Sequence, residues 1–145
     1  MRTHSLAKPA VILLLVVCGC ARKGDPIPAP PVPPAAPEAA WTSLRQLEVT
    51  LPALDAKGDK LRGLDAVRVL YLPLALARPT AADVFAHGEI IQERRRPGLP
   101  GPGEPVRLDL AGFKKPAGWI VVVAVRAGQV PSAPGPVLPW LSPDL

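Results

Sequence analysis

The sequence predicts an all-β antiparallel sandwich, preceded by two leading segments of different character. Three observations carry that expectation. Short apolar runs of period two recur from Leu47 onward, the pattern of half-buried strands. Clusters rich in Gly and Pro separate the runs, where tight turns need them. Proline supplies 21 of the 145 residues, roughly three times its usual share, and a residue without a backbone donor argues against a mainly helical fold.

Residues 1–19 form the first leading segment. Met1–Lys8 carries Arg2 and Lys8 and no acid, Pro9–Val17 is uninterruptedly apolar, and Cys18-Gly19-Cys20 follows. A basic start, a short apolar run and a small-residue exit are the parts of a signal peptide. The 12 residues from Pro9 to Cys20 would reach about 18 Å as a helix, short of the roughly 30 Å of a hydrocarbon core. The segment therefore reads as an export signal, not a membrane span. Residues 20–40 read as a tether, with seven prolines among residues 21–40. Such a stretch favours polyproline II, which at about 3.1 Å per residue would reach roughly 60 Å. It is either a spacer or, through Pro30-Pro31-Val32-Pro33-Pro34, a docking segment for a proline-recognising groove.

The sandwich is expected over residues 41–141, with 142–145 as a tail. Leu47-Glu48-Val49-Thr50-Leu51 alternates until Pro52 stops it. Ala66–Tyr71 is β-branched and aromatic and puts Val67, Val69 and Tyr71 on one face. Val84–Ile91 reads as a weaker strand with a bend or turn at Gly88, and Val106–Leu110 alternates cleanly. Trp119–Val125 is apolar on both faces, as a central strand requires, and Val137–Trp140 could close an edge, where Pro139 is tolerated. Turns are expected at Lys57-Gly58-Asp59, 97–105, 114–118 and 127–135. With Gly98, Gly101 and Gly103, the segment 97–105 is expected to be mobile.

Three resemblances add to this. Val17-Cys18-Gly19-Cys20 resembles the bacterial lipobox, which implies signal cleavage between Gly19 and Cys20 and acylation of Cys20. Ala21 then leans toward the outer membrane by analogy with Gram-negative lipoproteins. An ordinary signal with incidental cysteines, or a Cys18–Cys20 bridge strained by its spacing, are the other readings. Cys20-Ala-Arg-Lys-Gly-Asp-Pro-Ile-Pro28 is similar to the attachment motif of small envelope lipoproteins, some of which assist assembly of the lipopolysaccharide-transport machinery. Asp25 stands where that motif usually has proline. Residues 41–140 resemble a fibronectin type III domain of the immunoglobulin-like class. Val49–Pro52 matches its second strand, Asp59-Lys60-Leu61 the following turn, Leu64–Tyr71 its third strand, and Ile120–Gly128 with Ser132-Ala133-Pro134 its sixth strand and the turn to the seventh. Leu51 replaces the second-strand tryptophan, and Ile120, beside Trp119, takes the place of the sixth-strand tyrosine. The tyrosine corner would be missing, the first strand short, and 97–105 an insertion.

Chemistry-bearing patterns are sparse. An apolar share of 48% excludes a fully disordered chain. Once residues 1–19 are removed, 15 basic residues face 12 acidic ones, a weak excess that, with export, excludes nucleic acid as the expected partner. His4 leaves with the signal and His87 stands alone. No catalytic motif accompanies them, and zinc has too few nitrogen and sulfur ligands, so neither metal nor other cofactor is expected. Asp55, Asp59 and Asp65 share a loop with Lys57, Lys60 and Arg62, which would repel calcium. Arg94-Arg95-Arg96 before Pro97 is either a solvated strand end or a patch meeting phosphate-rich lipopolysaccharide or an acidic partner. Trp41 and Trp140 are expected to pack together or cover the core edge, with sugar stacking as the other reading. The expectation is a non-enzymatic lipoprotein, held to the outer membrane by acyl chains and facing periplasm or surface. Its sandwich would contact envelope proteins. The alternative is an accessory factor in outer-membrane or lipopolysaccharide-transport assembly that acts through Cys20–Pro28.

Overall fold

The computed structural model describes Gly24, residues 26–74 and residues 77–142. The expected lipidation and cleavage positions, Cys20 and Gly19, lie outside the described residues, as do Cys18 and His4.

The chain folds as an antiparallel β-sandwich. β1 (Glu38–Trp41), β2 (Gln46–Thr50) and β5 (Pro105–Asp109) form one sheet in the order β1-β2-β5. β3 (Ala66–Pro73), β4 (Glu89–Arg95), β6 (Gly118–Arg126) and β7 (Val130–Pro131) form the other in the order β4-β3-β6-β7, with β8 (Leu138–Trp140) also on β6. Alternation sets the faces. In β2, Leu47 and Val49 are fully buried, and in β5 Leu108 is too, with Val106 nearly so. They face Val67, Val69, Tyr71, Ile120, Val122 and Ala124 of the second sheet. β7 and β8 are two pieces of one interrupted edge. Between them Ser132 N donates to Ala124 O at 2.7 Å and Gly135 N to Val122 O at 2.9 Å. Pro131, Pro134, Pro136 and Pro139 cannot donate, so this edge offers little to a further strand.

Two expectations need correction. The first concerns the boundary at residue 40. Ala35 N donates to Leu54 O, Ala56 N to Pro33 O, and the Arg126 guanidinium to Val32 O at 2.5 Å. Pro34 and Pro37 are buried and β1 begins at Glu38. Proline loses its donor but keeps its carbonyl and an apolar ring, so the last part of the proline-rich stretch belongs to the sandwich. Among the described residues the exposed stretch ahead of the sandwich therefore ends near Val32, before the expected boundary at residue 40.

The second concerns Val84–Ile91. Ala81–His87 is a helix, α1, and only from Glu89 does the chain become strand. Thr80 caps the helix: its hydroxyl accepts from Asp83 N at 3.2 Å while Asp83 Oδ2 accepts from Thr80 N at 2.9 Å, a reciprocal pair that satisfies two end donors. Gly88 turns extended and ends it, its N–H donating to Val84 O at 2.8 Å, an approach that leaves no room for a Cβ. α1 sets Val84 on the outside of the second sheet, over Leu70, Val121 and Val123. Trp119–Val125 is therefore apolar on both faces because both faces of β6 are covered.

The pairing directions define two poles. The tether enters beside the loops 51–65, 96–104 and 127–129, the tether pole. The turn 42–45, the α1 connection and the loop 110–117 form the far pole.

Candidate functional site

The far pole gathers aromatic surface. Four of the six aromatic residues meet there: Phe113 lies 5.2 Å from Tyr71 and 4.9 Å from Trp140 between ring centroids, and Trp41 lies 6.0 Å from Trp140. Their polar ends fix the loops. Tyr71 Oη donates to Pro116 O at 2.8 Å and Trp140 Nε1 to Lys115 O at 3.0 Å, so a β3 tyrosine pins the loop before β6 although no sixth-strand tyrosine is present. Trp41 and Trp140 pack together as expected. Trp140 is buried, with the Arg45 guanidinium over its ring at 4.9 Å, whereas Trp41 donates to Pro139 O at 3.1 Å and stays half-buried. One side of Trp41 borders a cleft of about 410 Å³ with Leu44, Pro139 and Leu141. Leu44 is 77% exposed and Leu141 59%, so the cleft is apolar and open.

A second depression at this pole holds the titratable groups Tyr71, His87, Glu89 and Lys115. Lys115 Nζ sits 2.9 Å from Glu89 Oε1, and that carboxylate raises the lysine pKa above its ordinary value. Burial raises the Tyr71 hydroxyl. Both groups are held protonated at neutral pH, a pairing that suits structure better than nucleophilic attack. His87 ends α1 and is exposed.

At the tether pole, the three expected arginines do not form one patch. Arg94 is half-buried and donates to Arg107 O at 3.2 Å, across the gap between the sheets. Arg95 pairs with Glu93, which also takes a 2.5 Å hydrogen bond from Arg68 Nε. Those two guanidiniums, Arg95 first, hold the Glu93 carboxyl below the usual carboxylate range. Arg96 lies past the strand end, with Nε on Leu64 O at 2.9 Å and Nη2 3.8 Å from Asp65 Oδ1. It lines a groove with Arg62, which the sequence pattern singled out only as a cation that would repel calcium and did not pair with Arg96. The aspartates of this pole are structural: Asp55 Oδ1 accepts from Lys57 N at 2.9 Å and Asp59 N at 3.0 Å to shape the turn. Among the described residues no cluster of three or more His, Cys, Asp or Glu could hold a metal ion. The segment 97–105 is tied at several points, with Gly103 N on Leu51 O and Gly101 N on Glu104 Oε2, both at 3.0 Å.

The cleft residues Leu44 and Leu141 also went unnoticed in the sequence. The available signal was a large apolar residue inside the polar turn Thr42-Ser43-Leu44-Arg45. No helix of the described residues is long and apolar enough to cross a membrane. No family model, curated protein or solved structure matches this chain.

Proposed function

We propose that the chain is a non-enzymatic, lipid-anchored envelope protein whose fibronectin type III-like sandwich contacts other envelope proteins. The observation that carries this reading is the sequence Val17-Cys18-Gly19-Cys20 at the end of a short apolar run. Several acyl chains on Cys20 would hold the chain firmly, at about 0.8 kcal/mol per buried CH₂. The outer membrane is the favoured site because Ala21 follows the cysteine. An antiparallel sandwich of a three-stranded and a five-stranded sheet, the latter with β7 and β8 sharing one edge, supports the immunoglobulin-like assignment. The apolar cleft at Trp41, Leu44 and Leu141 supports the binding role, since it lies at the pole opposite the tether and so points away from the anchoring surface. Fold alone would not support that role.

The Cys20→Ala variant tests the anchor: it should accumulate as a soluble or unprocessed protein. A variant kept in the membrane fraction, together with a wild-type amino terminus that is unmodified and still carries residues 1–19, would overturn the reading. A second reading places the activity in Cys20–Pro28, as an accessory to outer-membrane or lipopolysaccharide-transport assembly. It is favoured by the exposure of residues 26–31, which stand clear of the sandwich. Deleting residues 33–142 separates the two, because the second reading retains function and the first loses it.

A further inference from the structure

We propose that the tether pole seats on an anionic phospholipid surface, with the phosphate of a headgroup held between Arg62 and Arg96. The inference deepens the anchoring read from Cys20, which brings this pole to a membrane, but its chemistry comes from the groove itself. Arg62 and Arg96 line one groove of about 200 Å³ with Leu64, Leu99 and Pro100. Among the described residues Arg62 makes no hydrogen bond or ion pair, and it is exposed. Arg96 spends Nε on Leu64 O and has only the long 3.8 Å approach of Asp65. Its side chain stays 58% exposed, and Nη1 has no partner among the described residues.

The groove is built, not incidental. The Arg96 guanidinium lies against the 62–64 backbone, where a Cβ on Gly63 would stand 2.3 Å from Nη2 and push that flexible tip aside. The opposite wall is set by the 101–104 turn, closed by the Gly101 and Gly103 hydrogen bonds. Glu104, whose carboxylate accepts from Gly101 N, is not among the residues that line the groove. Two planar guanidiniums suit a phosphate in forked geometry. The apolar flank of Leu99 and Pro100 favours a phosphate that carries a glyceryl ester over free inorganic phosphate. Placement agrees: the exposed stretch ahead of the sandwich enters at this same pole.

The experiment uses the chain from residue 20 to 145 with Cys20→Ser, which keeps every described residue but inserts no acyl chain. Partition is measured on vesicles of phosphatidylcholine alone and of phosphatidylcholine with one part in three phosphatidylglycerol. The expected result is binding to the anionic vesicles only, weakening with salt. It should drop about fivefold for Arg62→Ala or Arg96→Ala and twenty- to thirtyfold for both together. Gly63→Ala keeps both charges and displaces only the tip of Arg96, so its binding should fall between wild type and Arg96→Ala. Arg107→Ala, an exposed cation on β5 paired with Glu48, should bind like wild type. Equal partition on both vesicles, or no loss in the double variant, would each overturn the proposal. So would binding confined to inorganic phosphate or to an acidic protein. Failure of the anchor is read separately, from the amino-terminal mass of the cellular protein, so the two can fail independently.

Discussion

The two faces of the sheet β4-β3-β6-β7 are buried by different means. The inner face sets Val67, Val69, Tyr71, Ile120, Val122 and Ala124 against a second sheet, with Trp140 closing the far end. That face joins strands from both sheets that lie far apart in the chain. The outer face offers Leu70, Val121 and Val123 to the one residue α1 fully buries, Val84, while the Arg78 guanidinium lies 5.3 Å over the Trp119 ring. A seven-residue helix does not form alone in water, so the outer layer borrows its stability from the sheet it covers. The inner face therefore determines whether the domain folds. The outer face can open locally while the sandwich persists.

The largest expected effect lies on the inner face. Trp140→Ala removes the side chain that Phe113 and Trp41 pack on, and leaves Lys115 O without its donor. Large-to-small changes of this kind cost about 3–5 kcal/mol, and equilibrium urea unfolding should register the loss over the whole domain. A loss under about 1 kcal/mol would mean that the aromatic cluster is dispensable and the contrast between the faces is misdrawn.

Val84→Ala probes the outer face and should cost about 1.5 kcal/mol, the value of two buried methyl groups. Native-state hydrogen exchange would locate the effect: amides from Val84 to Gly88 should exchange faster while those of β6 keep their protection. A Val84 variant that unfolds globally as readily as the Trp140 variant would instead make the two layers one cooperative unit.

The inner face was legible in the sequence because alternation is a property of each strand alone. Leu47–Leu51, Ala66–Tyr71 and Val106–Leu110 each show it without help from a neighbour. α1 was not legible for the opposite reason. Val84, Ala86, Gly88 and Ile90 fall at period two by coincidence, and two helical turns are too short to display a period of their own. The local signal was Thr80-Ala-Ala-Asp83, a capping pair at the required spacing, yet the outer valines that make the helix worthwhile lie about forty residues on. The candidate surfaces divide the same way. Trp41 and Trp140 were found as large apolar residues at the ends of the sandwich. The Arg62–Arg96 groove was missed because two residues 34 positions apart become neighbours only when the chain crosses between sheets. The basic triplet drew attention as a run, but its members spread to Arg107 O, Glu93 and Leu64 O, and only Arg96 lines that groove.

The smallest effect, and the most local, concerns the cap. Asp83 accepts from Thr80 N at 2.9 Å and from Thr80 Oγ1 at 2.7 Å, and those hydrogen bonds, the backbone one first, lower its pKa. A carboxyl whose pKa is lower folded than unfolded binds more protons in the unfolded state, so it adds stability that rises with pH. That contribution is complete above the ordinary aspartate value near pH 4 and fades as pH falls through the lower, folded value. Acidification from about pH 4 downward should thus loosen α1 before the strands, seen as amide signals of Val84–Gly88 exchanging early while those of β3 and β6 stay protected. Asp83→Asn keeps an acceptor at the cap but has no proton to gain, so it should flatten the pH dependence without releasing the helix at neutral pH. Thr80→Ala should loosen the helix at every pH, by about 1 kcal/mol, and Thr80→Ser should restore it. If the Asn variant loosened α1 at neutral pH as much as Thr80→Ala does, the charge of Asp83 and not its hydrogen bonds would be holding the outer layer. The outer face would then depend on electrostatics in a way the inner face does not.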